Sequence, residues 1–436
     1  MLCRLSKMTG DFGRCETGAG TVLGLFTFMS VATIGAIALD VTYLRATKDQ
    51  LQIAADQAAH AALYRRSTQK HEQARADAVD LTDQILGGAS FKGALTTTDI
   101  EFGTFLSETR TFTADPDSKT AVRVVTSLDR DRNNAANTFL FRMIGIEDFE
   151  LRAETIFATY RPGCLREGFI AEGVVDMQSN NSVLSGFCIH SNSYVSLNQN
   201  NYFQPGTIVG MPNVEDLDLP KSGFERNDGL AEALRNQKIN IRVLDHVNSI
   251  DTRLRNGDID TVPHYIDFPS MRSLSTTTLS MADLVPGSMY DVSCSGKQLT
   301  IDGSTPLKNV VIVTDCPVKM SKGAALEDVL LVTKSVDSNS ITSPNGFRLG
   351  ANDSCATGGG AQIVTSGGIN VASGLQIFGS QLIAQGDVTF AASADSVEGA
   401  SIISAGKIDG TSNSQIGFCN AGMEDNIEID YFRMVR

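Results

Sequence analysis

From Gly18 to Leu39 the chain runs 22 residues without a charge, GAGTVLGLFTFMSVATIGAIAL. As a helix this run rises about 33 Å, enough to cross a hydrocarbon core of about 30 Å. The alternative is a buried core helix, but an uninterrupted uncharged stretch this close to the start favours a membrane span. Val22, Leu25, Phe26, Phe28, Ile34, Ile37 and Leu39 are its anchoring side chains. The run is long for the apolar part of a signal peptide and leads straight into a helical pattern, so an uncleaved anchor is expected. Cys15 follows Phe-Gly-Arg, a poor match to a lipoprotein signal.

Charge and cysteines orient the span. Arg4, Lys7 and Arg14 precede it and Arg45 and Lys48 follow it closely, a bias toward a cytoplasmic N-terminus. Only Cys3 and Cys15 lie before the span. Cys164, Cys188, Cys294, Cys316, Cys355 and Cys419 lie beyond it, an even number without a Cys-x-x-Cys pair. That pattern suits disulfides in an oxidising compartment better than a metal cluster. Six cysteines allow fifteen connectivities; pairing of sequence neighbours is preferred here. The large part of the chain is therefore expected outside the cytoplasm. A formal net charge of −14 argues against nucleic acid as a partner.

Past Asp40 the helical rhythm continues. Leu44, Leu51, Ala55, Ala58 and Ala62 are spaced as one helix-packing seam, with polar residues on the other faces. A rod reaching about Arg66 is expected, its Ala-rich seam packing either within its own domain or against a partner. A second helix is predicted from about Gln69 to Leu86, stopped by Gly87-Gly88. Strands are predicted at 99–105, 110–114, 121–128 and 150–160. A helix is predicted at 133–146, with Phe139, Leu140, Phe141, Met143 and Ile144 as its apolar body. A rod followed by a small sheet is a pilin-like plan.

The string Gly18-Ala19-Gly20, the apolar span, Leu39-Asp40-Val41 and then Leu51-Gln52-Ile53-Ala54-Ala55-Asp56-Gln57-Ala58-Ala59 resembles the Flp (Tad, tight-adherence) pilus-assembly TadE/TadG-like family. Asn137-Thr138-Phe139 to Gly145-Ile146, with the strand after it, resembles that family's following unit. The resemblance covers about residues 14–160. It implies a membrane-anchored assembly component or minor pilin-like subunit of a pilus or related secretion machine. The implied setting is the bacterial inner membrane, with the large domain periplasmic and other pilus-assembly subunits or pilin as partners. Related pseudopilins carry Glu at the fifth position after the processing Gly; here that position is Leu23, which suits an anchored subunit better than a fibre subunit. The Asp-x-Ser-x-Ser metal site that larger relatives carry in a von Willebrand A insertion is not expected.

After Pro162 the texture changes to short Val/Ile-rich pieces between Gly, Ser and Asn. Ile363, Ile383 and Ile403 stand twenty apart; Ile369, Val388 and Ile408, and Ile377, Val397 and Ile416, run in parallel at nineteen or twenty. Val175 with Val195, Val183 with Phe203, and Ile189 with Ile208 repeat the spacing. Registers of this kind predict a parallel β-helix that buries apolar side chains by stacking coil on coil; the alternative is a β-sandwich. The expected fold is α+β: an N-terminal transmembrane helix, a pilin-like helix with a small sheet, then a predominantly β C-terminal region. The layout is a tail at 1–17, the span at 18–39, and the rod with its α/β unit at 40–162. First coils follow at 163–209, a Pro-containing excursion or connecting subdomain at 210–290, and further coils with a C-terminal cap at 291–436. The excursion is predicted to hold a helix at 229–237.

No sequence motif points to catalysis, and neither a cofactor nor a metal is expected. His190 is read as a turn-facing polar residue. His246 and His264, near Asp245 and Asp267, are weak candidates for a dyad, and Asn256-Gly257-Asp258-Ile259-Asp260 lacks the ligands of a full calcium loop. The chain is thus expected not to be an enzyme. Two rivals to the assembly role are an envelope protein that binds or cleaves carbohydrate with the coil surface, and a surface adhesin. Envelope glycan is the further partner these imply.

Overall fold

The computed structural model describes residues 19–67, 69–258, 261–419 and 421–436. The predicted cytoplasmic tail, with Cys3, Cys15 and its basic residues, lies outside them. The chain forms two compact units, Met1–Tyr160 with Asp430–Arg436, and Arg161–Ile429.

In the first unit, helix α1 is continuous from Ala19 to Arg66 and α2 spans His71–Leu86. Gly87 ends α2 in the left-handed region (φ 51°), its N–H donating to the Asp83 carbonyl, a conformation that glycine adopts without steric cost. Strands β1 (Ile100–Leu106), β2 (Thr111–Ala114) and β3 (Ala121–Leu128) follow. A short hairpin, β4 (Ala136–Asn137) with β5 (Asp148–Phe149), precedes β6 (Leu151–Tyr160). The main sheet has the order β2-β1-β3-β6 and is closed by the C-terminal strand Tyr431–Met434, all antiparallel. Ala55, Ala58 and Ala62 of α1 and Ala74 and Ala78 of α2 pack on Ile100, Phe102, Val122 and Val124. Leu51 belongs to a second cluster with Leu128 and Ala153, against which Leu44 rests. Alanine lets the helices approach the sheet closely, so the narrow seam is a core rather than a docking stripe.

Two predictions for this unit are corrected. Residues 133–146 are not a helix but the β4–β5 hairpin, whose tip contains one 3-10 turn at Phe141–Ile144. The Asp40 carboxylate holds the backbone N–H groups of Phe139, Leu140 and Phe141 at the tip, and Gly145 (φ 89°) ends the turn. The C-terminal segment does not cap the coils: Tyr431 pairs with Tyr160 and Met434 with Phe157. The second unit is therefore inserted between two neighbouring strands of the first unit's sheet.

The second unit is a large sheet system of 23 strands in which every described pairing is parallel. Most expected registers are paired neighbours: Val175 with Val195, Val183 with Phe203, Ile369 with Val388 and Ile408, and Ile377 with Val397 and Ile416. Two are off by one. Ile363 pairs with Leu382, not Ile383, and Ile189 pairs with Val209, not Ile208. A one-residue slip moves a side chain to the other face. Ile363 accordingly lies in the inner core, while Ile383 and Ile403 lie on the outer face.

Chain order and spatial order differ. Gly168–Ala171 pairs on one side with Cys188–Ser191 and on the other with Ser401–Ser404. Likewise Val175 pairs with both Val195 and Ile408. The second unit thus starts in the middle of the order of paired strands, builds outward to Leu234–Asn236, crosses to the far end at Phe268–Ser275, and builds back until it meets its own first strand. The crossing segment is not a loose excursion. Its helix Val243–Arg255 lays Val243, Leu244, Val247, Ile250 and Leu254 over the outward-facing Met289, Val311, Val313, Leu330, Val332, Val364, Ile383 and Ile403. That cover explains runs such as Val310-Val311-Ile312-Val313, in which both faces are apolar because both are buried. The helix predicted at 229–237 is a single turn, Leu230–Ala233, followed by the strand Leu234–Asn236, which pairs with Val209–Met211.

Candidate functional site

The feature of the first unit without a purely structural explanation is the exit of α1 from its apolar stretch. The helix is long and apolar enough to cross a membrane, and among the described residues none buries its apolar window. The predicted anchor residues Val22, Leu25, Phe26, Phe28, Ile34, Ile37 and Leu39 are all exposed. Thr27, Ser30 and Thr33 return their hydroxyls to the carbonyls of Leu23, Phe26 and Met29, each at 2.8 Å, so the polar groups of this stretch need no water.

Asp40 is the first charge after the stretch and is fully buried. Its carboxylate accepts backbone N–H groups from Phe139 (2.8 Å), Leu140 (2.9 Å) and Phe141 (2.6 Å) at the hairpin tip. Burial pushes the carboxyl up, but the three donors outweigh it and hold the group below its ordinary value. Thr138 closes the tip, donating to the carbonyls of Ile146 (2.6 Å) and Glu147 (3.1 Å). The Phe139 ring meets Tyr43 edge-on at 5.1 Å, and together with Ala38, Leu39, Thr42 and Ala46 they line a shallow apolar groove. Beyond this tie the tip is bare: Met143 is 80% exposed, Ile144 73% and Phe139 55%. The sequence reading used Asp40 only as part of a motif. Its role as an acceptor was invisible because the donors lie about a hundred residues later and are backbone groups.

The seam residues Leu51, Ala55, Ala58 and Ala62 are fully buried inside the unit. They do not offer a surface to a partner. The six distal cysteines form Cys164–Cys188, Cys294–Cys316 and Cys355–Cys419, with Cα separations of 5.0, 6.3 and 5.9 Å, the sequence-neighbour pairing. Glu398 lies close to Cys355 and Cys419, but the bonded sulfurs offer no thiolate to a metal. The string Asp291-Val292-Ser293-Cys294-Ser295 has the Asp-x-Ser-x-Ser spacing that the sequence reading did not expect. Arg255 holds Asp291 through Nη2 at 3.1 Å and Cys294 is bridged, so the string is occupied by structural contacts.

The histidine candidates separate. His264 Nδ1 lies 2.6 Å from Asp425 Oδ1. Of the Asn256–Asp260 string, Ile259 and Asp260 lie outside the described residues; Asp258 accepts from Arg253 at 2.7 Å. His190 is fully buried rather than turn-facing. Its Nε2 donates to Asn192 Oδ1 at 3.0 Å, since Asn192 gives its own N–H groups to Glu172 and the Ile239 carbonyl. Burial lowers the His190 pKa, against smaller raising effects of Asn192 and Glu172. The unfolded chain therefore takes up a proton that the folded chain resists. Stability is complete above about pH 6.5 and falls as pH drops below it. His190→Leu is expected to flatten the Tm profile between about pH 7 and pH 5.5, as read by thermal melts.

One polar row was missed because its members are far apart in sequence. Asp176 pairs across strands with Asp409 and with Ser196, whose hydroxyl donates to Asp218 at 3.1 Å. Burial first and then Asp409 push the Asp176 carboxyl up.

Comparison with known proteins follows the two-unit division. A family model described as Domain of unknown function (DUF7867) matches residues 168–420, more than half of the chain. A second, described as Putative Flp pilus-assembly TadE/G-like, matches residues 18–83, which contain the apolar stretch, Asp40, the seam and nearly all of α2. No curated protein and no solved structure matches the chain.

Proposed function

We propose, from the premise that the chain belongs to the family of the Domain of unknown function (DUF7867) and carries a Flp pilus-assembly TadE/G-like segment, that it is an anchored assembly subunit of a tight-adherence pilus or related secretion machine. The observation that carries this reading is the coincidence of the TadE/G-like match with a helix whose apolar half none of the described residues covers. The role is that of a minor, TadG-type subunit held in the inner membrane with its N-terminus cytoplasmic. Three disulfides support a periplasmic setting for the second unit, because cytosolic thiols are kept reduced. Coil-to-coil parallel pairing at spacings near twenty supports reading that unit as a parallel β-helix. The work is mechanical and non-covalent: the span holds the chain beside the machine, and the coils present a long polar surface. No catalytic step is proposed.

Cross-linking intact membranes and purifying the full chain tests this. Co-purification of pilin or of the machine's membrane platform is expected. Recovery without either, together with normal piliation of cells lacking the chain, overturns the reading. The carbohydrate alternative gains one supporting observation, the row of Asp409, Asp176 and Asp218; a glycan array with a reducing-sugar assay separates the two.

A further inference from the structure

We infer that the β4–β5 hairpin tip is a second membrane contact, an apolar foot that rests in the interfacial layer of the same bilayer that α1 crosses. The inference rests on the anchor reading and adds to it a site outside the helix. Its occupant is lipid, for three reasons.

The first is position. The uncharged run ends at Leu39, and its length matches the hydrocarbon thickness, so Asp40 stands at the edge of the core. The N–H groups of Phe139, Leu140 and Phe141 are bound directly to that carboxylate. The tip is thereby fixed at the depth where acyl chains meet headgroups. The second is composition. Phe139, Met143, Ile144 and Ile146 are exposed on one short turn that has no polar side chain besides Arg142. Exposing such a cluster to water is costly, whereas an interfacial layer accepts apolar side chains and pairs a cation with lipid phosphate. The third is continuity. Phe139 shares an apolar groove with Ala38 and Leu39 of the span, and the Thr42 hydroxyl in that groove is turned back to the Ala38 carbonyl (2.7 Å), so the bare surface of the helix runs into that of the tip.

The buried carboxylate is what makes this arrangement stable at the water boundary. Three backbone donors that the tight turn leaves without partners are neutralised by one charge, and the charge is removed from lipid contact by the same bonds. The hairpin is thus clamped to the helix at one height, and the clamp sets how far the tip reaches.

The chain contains no Trp, so single-Trp variants report position without background. Full-length Met143→Trp and Ile144→Trp, both at exposed positions, would be reconstituted into phosphatidylcholine–phosphatidylglycerol vesicles containing lipids brominated either near the headgroup end or deep in the acyl chain. Phe28→Trp reports the span, and Leu106→Trp, on the β1–β2 hairpin, reports a position not assigned to the membrane. Blue-shifted emission and quenching by the shallow bromines are expected for both tip variants. Deep quenching is expected for Phe28→Trp, and none for Leu106→Trp. Quenched Phe28→Trp with tip variants that behave like Leu106→Trp would overturn the foot and leave the anchor standing. Blue-shifted but unquenched tip emission would overturn it too, by showing that protein rather than lipid covers the tip. An unquenched Phe28→Trp would remove the anchor reading and the foot with it.

Discussion

Phe169→Ala is expected to destabilise the second unit by about 3–5 kcal/mol, the range for emptying a buried aromatic site. Phe169 is fully buried and packs edge-on against Phe187 at 5.0 Å and Phe390 at 5.5 Å. Its strand is where the two arms of the stack join, with Ile189 as its partner on one side and Ile402 on the other. In a stack each layer is stabilised by its neighbours, so a defect at the junction weakens both arms. Hydrogen exchange should therefore accelerate in Cys188–Ser191 and in Ser401–Ser404 alike, although more than two hundred residues separate them in sequence. Denaturant unfolding of the full chain gives the magnitude. Acceleration confined to residues 168–203 would mean that the last coil does not stack on the first.

The second large effect is expected at the helix seam. Ala58→Glu places a carboxylate in the packed apolar cluster that holds Ala55, Ala62, Ile100 and Val122. A carboxyl so buried shifts its pKa by roughly 3–5 units, past neutrality, so it is buried protonated at a cost of about 3.5 kcal/mol at about pH 7. Overpacking by the longer side chain adds about 1–3 kcal/mol, and the sum takes up the low end of the roughly 5–15 kcal/mol by which domains are stable. Limited proteolysis in detergent is expected to degrade residues 40–160 while a fragment containing residues 161–429 survives, because the two units have separate cores. Resistance of the first unit to protease would show that the seam is not packed as described. The same burial changes how any assembly defect of such a variant is interpreted: it would arise from loss of the fold rather than from loss of a docking stripe.

Much of this was legible in local sequence. The uncharged run, the Ala seam, the Gly87 stop and the alternating strands at 121–128 and 151–160 each depend on residues adjacent in the chain. The spacing near twenty was legible as well, since paired parallel strands put like residues one repeat apart. It failed by one residue at Ile363 and at Ile189, where both faces of the strand are apolar and periodicity carries no sign of which side is in. The apolar residues of 139–144 read as the apolar body of a helix because hydrophobicity alone does not distinguish such a helix from an exposed apolar turn.

What the sequence by itself determined is a helix long and apolar enough to cross a membrane, a sheet beside it, and a β region whose strands recur near every twenty residues. Those are properties of composition and period, which act within a few residues. Tertiary structure alone decided that the first strand of the second unit lies in the middle of its sheet system, that the crossing helix covers an outer apolar face, and that the last strand returns to the first unit. It also decided that Asp40 binds a turn about a hundred residues away. Each of these joins backbone groups or apolar faces that are chemically alike all along the chain, so only their closure in space selects the partner.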